Sequence, residues 1–157
     1  MNKVVKQISY IEVADIAELT SEEEAIIKVA KEATKGSYAP YSQFHVGAAL
    51  VLDGGIIVKG ANQENGAYPS GLCAERTALF AAGANCPDKA VKILAIAAET
   101  KGEFVDEPIV PCGACLQVIL ETEMRAGAPI TILLHGNKRT YKIEGVSNLL
   151  PFAFTLK

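Results

Sequence analysis

Cys73-Ala74-Glu75 and, further along, Pro111-Cys112-Gly113-Ala114-Cys115 are the stretches of this sequence best suited to chemistry. Cysteine thiolate is a strong zinc ligand, and three protein ligands leave the fourth tetrahedral position open to water, as catalytic zinc requires. Glu75 stands two residues after a ligand, near enough to handle that water's protons without binding the metal itself, so it is the natural proton carrier. Three anionic thiolates would make the zinc a weak Lewis acid. Arg76 can correct that by donating hydrogen bonds to a thiolate and drawing charge from the sulfur.

Both clusters fall where helices should begin. Residues 74–82 read as a helix ending at Gly83, and 113–125 as one closed by Gly127. Helix N-termini offer unpaired N–H groups and a positive dipole end, which favour the thiolate form. Upstream, Thr20 or Ser21 caps a helix over 21–34, with Glu23 or Glu24 completing a capping box. The run Glu22-Glu23-Glu24 is helix N-terminal charge.

Residues 44–52, the turn Asp53-Gly54-Gly55 and residues 56–61 form a hairpin. Buried strands follow at 92–98 and 130–134, with a last one at 140–143. Residues 7–13 fit either a strand or an arm. Helices interleaved with strands imply a three-layer α/β/α domain over 1–157 with a central mixed sheet.

Composition narrows the function. The chain of 157 residues is 50% hydrophobic, enough for one core, and carries 15 basic against 18 acidic residues. Its scattered Lys and Arg form no basic patch, so a nucleic-acid partner is not expected. The apolar runs 46–52 and 93–98 are too short to cross a bilayer, so no membrane association is expected. The apolar residues after Lys3 and Lys6 are broken by Glu12, Asp15 and Glu18, which is no signal-peptide core. The expected location is the cytoplasm. Four cysteines without an export signal suit metal or redox work rather than disulfides.

Two plainer readings compete. The zinc could be structural, closed by Cys86, His45 or His135, or Cys112 and Cys115 could be a redox pair. Neither gives Glu75 a role. Cys86, in the turn Asn85-Cys86-Pro87-Asp88, reads as a free thiol. His45 follows Phe44 on a strand and faces away from it. His135 is expected at the sheet rim.

With these residues in place, the sequence resembles the cytidine deaminases of the three-cysteine, homotetrameric type. The likeness covers residues 38–115 and reappears at Leu149-Leu150-Pro151 with Phe154. It implies one Zn2+ per subunit on Cys73, Cys112 and Cys115, with Glu75 catalytic, in a cytidine deaminase-like fold. It also implies that Asn62 and Glu64, in Asn62-Gln63-Glu64-Asn65, hold the sugar hydroxyls of a nucleoside. Phe44 would pack on the pyrimidine, and the backbone of Ala74 would meet the carbonyl oxygen of the base. Tyr68 and Phe154 would lie at subunit contacts of a homotetramer, Phe154 near a neighbour's site.

The reaction so implied is hydrolysis of cytidine and deoxycytidine to uridine and deoxyuridine with release of ammonia, a step of pyrimidine salvage. The alternative substrate is a modified aminonucleoside such as blasticidin S. The sequence departs from the family pattern at Leu116, where Arg is common, at Gly66, where Ala is common, and in the extension 1–19.

Overall fold

Thr20 opens the first helix as its sequence suggests. Its Oγ1 accepts from Glu23 N at 3.2 Å and the Glu23 carboxylate takes Thr20 N at 3.0 Å, closing a capping box at the start of α1 (Ser21–Ala33). The computed structural model describes residues 1–156, and Lys157, the last residue of the expected domain, lies outside the described residues.

The strands are β1 (Ile11–Val13), β2 (Phe44–Leu52), β3 (Ile56–Ala61), β4 (Val91–Thr100), β5 (Glu103–Phe104), β6 (Thr131–His135) and β7 (Thr140–Glu144). They form one sheet in the order β1-β7-β6-β4-β2-β3, with β5 paired to β4. Among the described residues only β4 and β6 run parallel, joined by a crossover through α3 (Gly113–Ala126). The sheet is therefore mixed, as expected. The open question at 7–13 resolves into both alternatives: residues 11–13 pair with β7, and the residues before them form an arm.

Strand alternation sorts the core into two layers. Ala49 and Val51 of β2 face α1, meeting Ile26, Ile27 and Ala30. Ala48, Leu50 and Leu52 face the other way, onto α2 (Ala74–Asn85) and α3, where Ala78, Leu79, Ala82, Leu116 and Ile119 are buried. One helix thus covers one face and two cover the other, giving the three layers. Gly60 of β3 brings α2 close: a Cβ there would lie 2.5 Å from Ala74 O and from Ala78 N.

Two expectations need correction. Helix α2 does not stop at Gly83 but runs on to Asn85. Gly83 keeps a negative φ, Asn85 Nδ2 donates to Ala81 O at 2.9 Å, and Cys86 N closes on Ala82 O at 2.8 Å before Pro87 ends the turn. His135 does end β6, but it is buried rather than at an open rim. Its strand has β4 on one side and β7 on the other, and His135 Nδ1 pairs with Thr140 Oγ1 at 2.9 Å. Burial, and then the charge of Lys31, lower its pKa to about 4.

Candidate metal centre and cleft

Cys73 is the residue before the first turn of α2, and Cys112 holds the same place at α3. Serine or aspartate at such a position spends its side chain on capping the helix. Neither cysteine does so, and both sulfurs remain free for another partner. Cys115 stands one turn into α3, fully buried. Cys73 Sγ and Cys112 Sγ are 3.8 Å apart, and Cys112 Sγ and Cys115 Sγ 3.5 Å.

These separations fit a tetrahedral zinc, since Zn–S bonds of ~2.3 Å set neighbouring sulfurs ~3.8 Å apart. The protonation chemistry of the donor set agrees. Hydrogen bonding from Cys115, then from Arg76 and Cys112, lowers the Cys73 pKa to about 5, while the bond to Cys73 and burial push the Cys115 thiol far up. The thiols alone cannot all ionise; a dication at their centre would allow it. Among the described residues no fourth Cys, His, Asp or Glu joins the three, so a structural site closed by Cys86, His45 or His135 is not what the chain builds.

Arg76 and Glu75 complete the floor. Arg76 Nη2 points at Cys73 Sγ from 3.8 Å, and its Nε is buried without a hydrogen-bond partner. Glu75 is 4% exposed, in the first turn of α2 two residues after Cys73. Burial is the main reason its pKa is raised, with the negative charge of Cys73 adding to it.

Above this floor opens a cleft of about 720 Å³, lined by Phe44, Asn62, Glu64, Tyr68 and Arg76 as well as Cys73, Cys112 and Glu75. Gln43, with φ +57°, turns the chain just before Phe44. His45 is absent from the lining, as the strand alternation requires. Asn62 Oδ1 accepts from Ser37 Oγ at 2.5 Å and Val46 N at 2.8 Å, and its Nδ2 donates to Phe44 O at 2.9 Å. One N–H of the amide is left for the cleft. Glu64 Oε2 accepts from Tyr41 N at 2.9 Å and Ser42 N at 3.3 Å. Hydrogen bonding from the Ser42 hydroxyl is the largest of the effects that lower its pKa.

Ala74 is fully buried as the first residue of α2, where its N–H has no partner within the helix. Phe154 lies outside the cleft of its own chain, held through its carbonyl by Gln117 Nε2 at 2.9 Å. Leu116 turns into the core behind the centre rather than toward it. Sequence reasoning missed Ser37 and Ser42, which orient Asn62 and Glu64, and the apolar wall of Ile109 and Val110. The wall had a signal, an apolar pair placed directly before Pro111-Cys112. The serines had none.

Three thiols gathered at two helix starts, with a buried carboxyl opening on a cleft, make the site of a zinc-dependent enzyme on a three-layer α/β/α fold. Comparisons with known proteins narrow the class. Residues 20–128 match the model of the cytidine and deoxycytidylate deaminase zinc-binding region. A cytidine deaminase from Halalkalibacterium halodurans is 43% identical over 130 residues, spanning 83% of this chain and 92% of the relative. One from Sporosarcina psychrophila is 41% identical over 132 residues, 84% and 90% of the two chains. The crystal structure of a cytidine deaminase from Burkholderia pseudomallei superposes with a TM-score of 0.70 at 39% identity, over 87% of this chain and all of that one. The chain belongs to the cytidine and deoxycytidylate deaminase family, and its three-cysteine centre fits one Zn2+ per subunit.

Proposed function

We propose that this chain is a cytidine deaminase, hydrolysing cytidine and deoxycytidine to the corresponding uridines with release of ammonia. The observation that carries the reading is the buried Glu75 carboxyl beside the three-thiol cluster, on the floor of a cleft lined by Phe44, Asn62 and Glu64. The zinc held by Cys73, Cys112 and Cys115 supplies Lewis-acid activation of water.

Within the cleft, Phe44 packs on the pyrimidine and the Ala74 N–H meets its carbonyl oxygen. The free N–H of Asn62 and the carboxylate of Glu64 give a sugar hydroxyl one donor and one acceptor. Glu75 takes a proton from the attacking water and delivers it to ring nitrogen N3. It then moves the remaining hydroxyl proton to the departing amino group, so that water and cytidine become uridine and ammonia. Arg76 draws charge from Cys73 and keeps the thiolate set less electron-rich.

The substrate is a small nucleoside, and the relatives above carry the name cytidine deaminase, which disfavours the modified aminonucleoside alternative. The reading takes the chain as one deaminase domain acting as a homotetramer in the cytoplasm. The exposure of the aromatic side chains of Tyr68, at the edge of the cleft, and Phe154 supports the assembly. No helix among the described residues is long and apolar enough to cross a membrane. Zinc content and the fall in cytidine ultraviolet absorbance, measured on one pure preparation, test the function. Zinc without turnover of either nucleoside would overturn it.

A further inference from the structure

The family match starts at residue 20, so residues 1–19 lie outside it. Part of this extension has a clear structural use. Residues 11–13 add β1 to the sheet edge, and the carboxylate of Asp15 caps the short turn that leads into α1. Residues 1–10 have no such use within their own chain. They run along the C-terminal segment, with Lys6 Nζ donating to Pro151 O and lying 4.6 Å from the Phe152 ring centre. Ser9 N donates to Asn148 Oδ1 at 2.9 Å, and Tyr10 packs on Tyr141 with ring centres 4.9 Å apart.

These contacts fix the arm but bury little of it. Val4 is 78% exposed, Ile8 60% and Phe152 83%. Val4, Ile8, Pro151 and Phe152 line a shallow groove together with the stem of Lys6. The whole chain exposes 8974 Å², whereas a globular monomer of 16.6 kDa exposes ~7,600 Å². The excess, on the order of 1,400 Å², exceeds the ~800 Å² that each partner loses in an interface of standard size.

We infer that residues 1–10 and the C-terminal segment 152–156 form one docking surface for a second copy of this chain. The inference rests on the self-association proposed above and adds an element that the family match does not contain. Charge favours a second copy as the occupant. Residues 1–11 hold Lys3 and Lys6 and no acid, which leaves thirteen basic against all eighteen acidic residues on the rest of the chain. A basic arm therefore meets an acidic body. Phe154, proposed above for a subunit contact, is itself part of this surface, and Gln117 ties it to α3.

Sedimentation velocity across a range of concentrations tests the inference on three zinc-loaded proteins. These are the full chain, a chain lacking residues 1–9, and the full-length double variant Val5→Asp with Ile8→Asp. Removing 1–9 spares β1, and the double variant covers the case in which the shortened chain fails to fold. Both altered proteins are expected to self-associate at least about tenfold more weakly than the full chain, with zinc still at one per chain. Equal association of all three, or a full chain that stays monomeric at every concentration, would overturn the inference. Cytidine turnover is read separately, so the deaminase reading can fail without deciding this one.

Discussion

Cys73 Sγ and Cys112 Sγ lie 3.8 Å apart although 39 residues separate them and each stands at the start of a different helix. Two helices on the same face of the sheet converge at their N-terminal ends, and that convergence makes the centre. The positive ends of both helices favour the anionic sulfurs that a zinc site needs.

Zinc binding should follow from that geometry. Cys73→Ser, Cys112→Ser and Cys115→Ser are each expected to lose stoichiometric zinc, while Cys86→Ser keeps one per chain. Cys86 caps the far end of α2, thirteen residues and ~20 Å along the helix from Cys73. Metal analysis after gel filtration under reducing conditions reads the difference, and zinc loss in the Cys86 variant would refute the three-thiolate assignment.

Glu75 gives the sharpest catalytic test. Glu75→Gln preserves size and burial but cannot carry a proton, so turnover of cytidine is expected to fall by ~10²–10⁴ with zinc retained. Near-normal activity in the zinc-loaded variant would remove Glu75 from the mechanism.

The sugar contacts are better tested at Glu64 than at Asn62. Asn62→Ala strands Val46 N and Phe44 O as well as removing a substrate donor, so it mixes stability with binding. Glu64 is half-buried in the cleft wall, and glutamine there keeps a carbonyl oxygen to accept from Tyr41 N and Ser42 N. Glu64→Gln should raise the KM for cytidine about tenfold, leave thermal stability close to the parent, and leave any slow turnover of free cytosine unchanged. Equal loss on both substrates would show that Glu64 does not read the sugar.

What the sequence showed, and what it hid, divides along a physical line. The Thr20 capping box, the glycine turn at residues 53–55 and the αL residue Gly127 are local signals, and each lies where its residue type demands. The cysteine set was legible because thiolate zinc chemistry restricts residue type so tightly. The burial of His135 was hidden, because it depends on β6 having strands on both sides, which no local pattern announces. Gly83 misled for a related reason: a glycine ends a helix only when it takes positive φ, and here it does not. Ser37 and Ser42 stayed invisible because any small hydroxyl in a loop looks alike until its partner is known.

His135 makes stability depend on pH. Its pKa falls from 6.5 to about 4 in the folded state, chiefly through burial, so the unfolded chain takes up the proton first as acid is added. Its contribution is complete above pH 6.5 and is lost progressively as pH falls toward 4. His135→Gln removes that titration. Denaturant midpoints at pH 7, 5.5 and 4.5 should fall more steeply for the parent than for the variant, and parallel curves would contradict the assignment.

Gly60 links the fold to the centre. An alanine Cβ at this position would meet Ala74 O and Ala78 N at 2.5 Å, both backbone atoms of α2, so the helix must move off β3. Such overpacking costs about 1–3 kcal/mol. The shift carries Cys73 with it, whereas Cys112 and Cys115 ride on α3. Gly60→Ala is therefore expected to weaken zinc binding as well as stability. Gly113→Ala is the control: it stands between two ligands in sequence, but its Cβ would meet nothing within 4 Å. Chelator competition should show reduced zinc affinity for Gly60→Ala and near-parent affinity for Gly113→Ala. The opposite order would mean that the local chain around the cysteines, rather than the seating of α2 on the sheet, sets the geometry of the centre.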